Sequence, residues 1–182
     1  MEKILVVIDM QNDFVSGSLG TEEAKSIVPK VVEKVKEARA NGNLVLFTRD
    51  THHANYLSTD EGKKLPVEHC IFGTHGWEII DELEVLDVRA YDKNTFGSKD
   101  LVMNLENYCK INGVKEIEFC GLCTGICVLA NVVSTKTLLY NNPKLSDIRL
   151  VVDASCCACV TKETHKIALE AMKLQQIDII NE

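Results

Sequence analysis

The chain has 182 residues, 46% apolar and 26% charged, with a net charge of -7. That length and balance suit one globular domain with a sizeable core. An acidic chain without a basic run makes nucleic acid a poor partner, and no apolar window reaches the roughly eighteen residues of a membrane span.

In chain order, the first element is KILVVI at 3–8, an apolar, β-branched run that predicts a strand. It meets an acidic residue too soon for a secretion signal, so a cytoplasmic protein is expected. Residues 22–40 place Ile27, Val28, Val31, Val32, Val35 and Ala38 at helical spacing. Pro29 lies inside that pattern, so the helix is expected to start near it or bend there, and Asn41-Gly42 marks its stop. LVLF at 44–47 and VLDVRAY at 85–91 predict the second and third strands. Between them, 50–75 is a long irregular stretch of the kind that is usually functional. Residues 98–111 predict an amphipathic helix with Ser98 as N-cap and Gly113 past its end. EIEFCG (116–121) predicts a strand, 125–140 a helix buried at its start, IRLVVDA (148–154) a strand, 161–174 a helix and IDII (177–180) a last strand. Continuous apolar strands separated by helices imply a parallel sheet covered on both faces. The expectation is an α/β fold: a three-layer, Rossmann-like αβα sandwich of about six strands, as a single domain over 1–182.

In such sheets ligands bind beyond the carboxyl ends of the strands. The first strand ends in Asp9, the second leads to Asp50, the third runs into Lys93, and the 116–121 strand runs into GLCTGIC. Cys127 falls in the first turn of the following helix. The N–H groups and dipole of that turn, with Lys93 nearby, are expected to lower its pKa and make it a nucleophile. The same N–H groups can hold an oxyanion, and Asp9 can carry the thiol proton to a leaving amine. Each residue also has a plainer reading: a structural thiol, a surface lysine, a cap. Asp50, His52 and His69 are of the types that ligate zinc, iron or manganese, and residues two apart in an extended segment face the same way. His53 and His75 read as solvated. The chain has eight cysteines, expected as free thiols that pack as small hydrophobes, with Cys156, Cys157 and Cys159 as core thiols or a redox-sensitive spot.

Together, DMQNDF (9–14), TRDTHH (48–53), PVEHCIFGTHGWEI (66–79), Lys93, GLCTGICVLANV (121–132) and VVDAS (151–155) resemble, in order, the motifs of the nicotinamidase/pyrazinamidase branch of the isochorismatase-like cysteine hydrolases. The resemblance implies a six-stranded isochorismatase-like sandwich hydrolysing a small aromatic amide, nicotinamide to nicotinic acid and ammonia in NAD salvage, through a thioester on Cys127. It implies catalytic Asp9, Lys93 and Cys127, and an oxyanion held by the backbone N–H groups of Cys123 and Cys127 after a cis Leu122–Cys123 peptide. It also implies one divalent metal, zinc before iron or manganese, on Asp50, His52 and His69 with Glu61 as a fourth candidate. The metal would bind the pyridine nitrogen, and Phe14 would line the ring pocket.

The sequence departs from the family in two places. Leu65 or Pro66 stands where an aromatic residue often stacks on the substrate, and Thr124-Gly125 replaces the usual Thr-Asp pair. Two other readings are a related hydrolase acting on another small amide or on isochorismate, and, in a different class, a cysteine-rich metal-binding or redox module. A homo-oligomer is left open by the sequence.

Overall fold

The computed structural model describes residues 2–85 and 90–182. The elements are β1 (Lys3–Ile8), α1 (Asn12–Val15), α2 (Glu22–Ala40), β2 (Leu44–Asp50), α3 (Asp60–Lys64), β3 (Ala90–Lys93), α4 (Lys99–Asn112), β4 (Glu116–Leu122), α5 (Leu129–Tyr140), β5 (Arg149–Ala158), α6 (Lys162–Leu174) and β6 (Asp178–Ile180). The strands form a six-stranded parallel sheet in the order β3-β2-β1-β4-β5-β6. Helix α2 packs across β2, β4 and β5, while α4, α5 and α6 pack in series as a second helical layer. This is the expected α/β sandwich. Strand β1 explains it most directly: Ile4 to Ile8 are each 0–1% exposed, so side chains of both alternating sets are covered.

Several boundaries differ from expectation, each for a local reason. Helix α2 starts at Glu22, not near Pro29, because the Thr21 hydroxyl caps Ala24 N–H at 3.0 Å. It continues through Pro29 because Ile27, Val31 and Val35, on both sides of it, are buried. That anchoring outweighs a penalty of about 3 kcal/mol for an interior proline. Strand β2 runs on to Asp50, since Thr48, Arg49 and Asp50 pair with Tyr91, Asp92 and Lys93. Of the strand expected at 85–91, residues 86–89 lie outside the described residues, and β3 is seen from Ala90 to Lys93. Strand β5 extends to Ala158 and takes in Cys156 and Cys157. The helix expected at 125–140 opens instead with a π-helical turn, Thr124–Val128, before α5. Around α3 the long loop holds 3-10 turns at Tyr56–Ser58 and His75–Trp77.

Ser98 caps α4, its hydroxyl accepting from Leu101 N–H at 3.2 Å, and Gly113 ends it at φ 61°. Beneath α2, Lys34 reaches into the sheet between Glu118 of β4 at 2.5 Å and Asp153 of β5 at 2.7 Å. Lys3 also pairs with Glu118. Among the described residues, no helix is long and apolar enough to cross a membrane.

The strand order reverses direction between β1 and β4, which is where doubly wound sheets open a crevice for ligands. Gly121 keeps the two strands close at that point. Its φ is 115°, and a Cβ there would lie 2.1 Å from the Ile8 carbonyl oxygen.

Candidate active site

Asp9 follows β1 directly, with a left-handed backbone (φ 48°) that a short polar side chain tolerates. It is fully buried, and Thr48 donates a 2.6 Å hydrogen bond to one carboxylate oxygen. The other oxygen lies 2.7 Å from Lys93 Nζ, at the end of β3. Lys93 Nζ is also 3.5 Å from Cys127 Sγ and 3.5 Å from Asp50 Oδ1. The strand ends thus bring Asp9, Lys93 and Cys127 into one contact group. Lys93 joins that group to the end of β2.

The electrostatics correct one expectation. Burial pushes the Cys127 thiol well above its ordinary range, the Asp9 charge adds to that, and Lys93 only partly opposes it. The helix terminus and Lys93 therefore do not yield a resting thiolate. Burial also raises Asp9, against the pull of Lys93. For Lys93, burial favours the neutral amine, but Asp9 first and Asp50 with it outweigh that and hold the ammonium firmly charged.

Cys127 lies in the π turn, 5% exposed. The Leu122–Cys123 peptide is cis. The Cys123 carbonyl accepts from Ile126 N–H at 3.0 Å and Val128 N–H at 3.2 Å, the two amides flanking that of Cys127. Gly125 lies against α6, where a Cβ would meet that of Ala168 at 3.2 Å. An aspartate side chain at this position would crowd α6.

Asp50 and His52 converge as their spacing predicts, His52 Nε2 lying 3.1 Å from Asp50 Oδ2. His69 returns from the far end of the loop, its Nε2 3.6 Å from the same oxygen, and Glu61 Oε1 is 3.8 Å from both rings. His69 Nδ1 donates to the Val67 carbonyl at 2.8 Å, so in the neutral ring the Nε2 lone pair faces two carboxylates. Only a proton or a cation between them makes that arrangement favourable. Burial lowers the His69 pKa, but hydrogen bonding to Asp50 and Val67 outweighs it and the net shift is upward. Burial raises Asp50, and hydrogen bonds with His52 and His69 more than reverse this, holding it below the usual carboxylate range. Donor spacings of 3.1 to 3.8 Å match the edge of a coordination shell, about 3.4 Å for a tetrahedral ion with bonds near 2.1 Å. The donor set therefore fits a divalent metal. Among the described residues these four form the one group of this kind. No set of cysteines does so, which goes against the cysteine-rich metal module.

Phe14 packs beside His69, their ring centroids 5.5 Å apart. Leu65 is 38% exposed at the end of α3, and its carbonyl accepts from Tyr56. His53 and His75 are exposed, as expected.

Other residues that shape the site carried weaker signals. Tyr56 is fully buried with its ring 4.6 Å from that of His52 and 5.0 Å from that of His69. Asn131 donates to the Cys127 carbonyl at 2.8 Å and the Phe96 carbonyl at 3.1 Å, and accepts from Ser98 N–H at 2.8 Å. It ties the loop after Lys93 to the cysteine turn. An amide in an apolar helix start was its only sequence signal. Gln11 is fully buried and accepts from Asp50 N–H at 2.7 Å, while donating to the carbonyls of Asp50 at 2.9 Å and Trp77 at 2.8 Å. Gln11→Leu strands those groups and is expected to cost about 1–3 kcal/mol of stability and weaken metal binding about 10–100-fold. Thermal melts and metal titration check this; unchanged metal affinity would refute the positioning role.

Comparison with known proteins agrees with this architecture. The family model described as the isochorismatase domain matches residues 3–181. A probable inactive nicotinamidase of Arabidopsis thaliana is 32% identical over 184 residues, covering 93% of this chain and 87% of its own length. The crystal structure of Pyrococcus horikoshii pyrazinamidase in complex with zinc superposes with a TM-score of 0.77 at 28% identity, covering 100% of both chains. That of Bacillus subtilis nicotinamidase/pyrazinamidase gives 0.78 at 27%, again covering 100% of both. The homologues support an amidohydrolase, and the chain belongs to the isochorismatase domain family.

Proposed function

We propose that this protein hydrolyses the carboxamide of a small aromatic ring, nicotinamide or pyrazinamide, to the acid and ammonia through a thioester on Cys127. The observation that carries the reading is the position of Lys93, in contact with Asp9, Cys127 and Asp50 at once.

Because the thiol is protonated at rest, attack is coupled to proton removal. Asp9 takes the proton as sulfur bonds to the carboxamide carbon, and its raised pKa makes it a stronger base than an exposed aspartate. Lys93 keeps its charge and stabilises the sulfur as the proton leaves. The amide oxygen, now negative, lies against the backbone N–H groups of Cys123 and Cys127. Asp9 then returns the proton to the departing amine, ammonia leaves, and water activated by Asp9 opens the thioester. Asp50, His52 and His69, with Glu61, would hold the divalent metal, zinc in first place. When bound, it supplies a Lewis-acid contact for the ring nitrogen. Phe14 lies against His69 and lines that side of the ring pocket.

Purified, metal-loaded protein is expected to release ammonia from nicotinamide and pyrazinamide. His69→Ala is expected to lose stoichiometric metal and to cut activity about 100-fold or more, beyond the range typical of residues behind the ligands. Inertness of the loaded protein on both amides would sink the assignment. The exposed Leu65, at a position where the family often stacks an aromatic ring, favours a second reading, hydrolysis of a different small amide. A panel of amides separates the two.

A further inference from the structure

Two thiols outside the catalytic group carry chemistry of their own. Cys123 and Cys159 each stand one step past the last paired residues of neighbouring parallel strands, Leu122 of β4 and Ala158 of β5. The register brings both residues to neighbouring strand ends, and adjacent strands stand about 5 Å apart. That separation lies within the roughly 4.4–6.8 Å between Cα atoms that a disulfide spans. The two thiols act directly on each other's ionisation, so their side chains face one another.

Their surroundings differ. Thr164, in the first turn of α6, and the backbone of Gly125 and Val160 each favour charge on the Cys159 sulfur. A Cβ at Gly125 would stand 3.7 Å from this sulfur, so the turn that leads to Cys127 closes over it. Two helix beginnings thus converge on one sulfur, an arrangement that favours an anion. Cys123 and this cradle hold the Cys159 thiol down at about 5, against its burial. Cys123 is pushed the other way, first by Cys159 and then by burial. The two shifts run in opposite directions, which favours charge on Cys159 over charge on Cys123. Cys159 keeps 5% exposure and is followed by exposed Val160, while Cys123 is half-buried.

We propose that Cys123 and Cys159 form a reversible, peroxide-driven disulfide that switches off the active site. The Cys159 thiolate attacks one peroxide oxygen and the O–O bond breaks. Sulfur becomes a sulfenic acid, and the released hydroxide takes a proton to leave as water. The Cys123 sulfur then attacks the sulfenic sulfur. Its proton goes to the departing hydroxyl, a second water leaves, and the S–S bond forms. Two thiols lose two electrons, and one peroxide becomes two waters. Closing the bond draws the sulfurs together to about 2.05 Å, displacing the residue whose N–H is assigned above to the oxyanion. The switching half of the proposal rests on that hydrolase reading. Bond formation does not.

The test treats metal-loaded protein with graded hydrogen peroxide, blocks remaining thiols, and maps peptides without reduction. A Cys123–Cys159 linked peptide is expected, cleaved by dithiothreitol and absent from Cys159→Ser and Cys123→Ser. Cys159 carried to sulfinic acid without that link, or a link to Cys127 or Cys156 instead, would overturn the proposal whatever amide the protein hydrolyses. On the best amide substrate, oxidation is expected to lower wild-type activity about 100-fold, as for loss of an oxyanion donor. Dithiothreitol should restore it, and Cys159→Ser should stay active through the same challenge. Equal loss in Cys159→Ser would place the damage at Cys127 and overturn the switch.

Discussion

Replacing Cys127 by alanine is expected to lower amide hydrolysis about 10⁴–10⁶-fold while leaving the fold intact. The size follows from the crevice holding few alternatives. Burial pushes Cys120 well above the ordinary thiol range, and burial with three nearby acids does the same to Cys70. Cys127 is also raised, but it alone among these has Lys93 at 3.5 Å and Asp9 in hydrogen-bonding contact to take its proton. Asp9→Asn should fall in the same direction, since it keeps the shape and removes the base. Nucleophile and base act as one unit, so the double variant should be little worse than either single one. Ammonia release at saturating substrate measures this, with a thermal melt to confirm folding. Residual activity within tenfold of wild type in a folded Cys127→Ala protein would exclude the thioester route.

Replacing Lys34 by methionine is expected to cost about 3–5 kcal/mol of stability, because it leaves buried Glu118 and Asp153 without their shared cation. For a chain of this size that is a fall of roughly 10 °C in Tm. The pH dependence follows from the partners. Burial raises Asp153, but hydrogen bonds from Lys34, Asn181 and Ser155 outweigh it and hold the carboxyl below its ordinary value of 3.8. A depressed carboxyl gives stability that is present above the unfolded pKa and lost as pH falls through the folded one. Wild type should therefore lose stability below about pH 4. Lys34 is shifted upward, its ion pairs outweighing burial. Its contribution is present below its unfolded pKa of 10.5 and fades only at strongly alkaline pH. Denaturant melts across that range check both ends. A Lys34→Met protein as stable as wild type would show that the acids find other partners.

Lys93 and Lys34 separate what was legible in the sequence from what was not. Lys93 was legible because it ends a strand in a chain whose other strand ends carry an acid, an acid and thiols, in the order of known motifs. Lys34 reads as one more charge on the polar face of α2. Nothing local says that it crosses into the sheet, because its partners lie in β4 and β5, far along the chain. Gln11 and Asn131 were hidden for the same reason, since their hydrogen bonds join segments distant in sequence, and Tyr56 because the folding of its loop sets its ring contacts with His52 and His69.

The sequence by itself determined the alternation of strands and helices, the parallel sheet, and the residues standing at the strand ends. Those follow from apolar periodicity and motif order, which are properties of short stretches. Only the tertiary structure decided the extension of β2 and β5, the π turn before α5, and the protonation of Cys127. The first comes from pairing with a neighbouring strand. The last comes from desolvation: a helix terminus and a lysine argue for a thiolate, but burying the sulfur beside Asp9 costs the charge more than they return. That balance depends on how much water the fold removes, which no local pattern encodes.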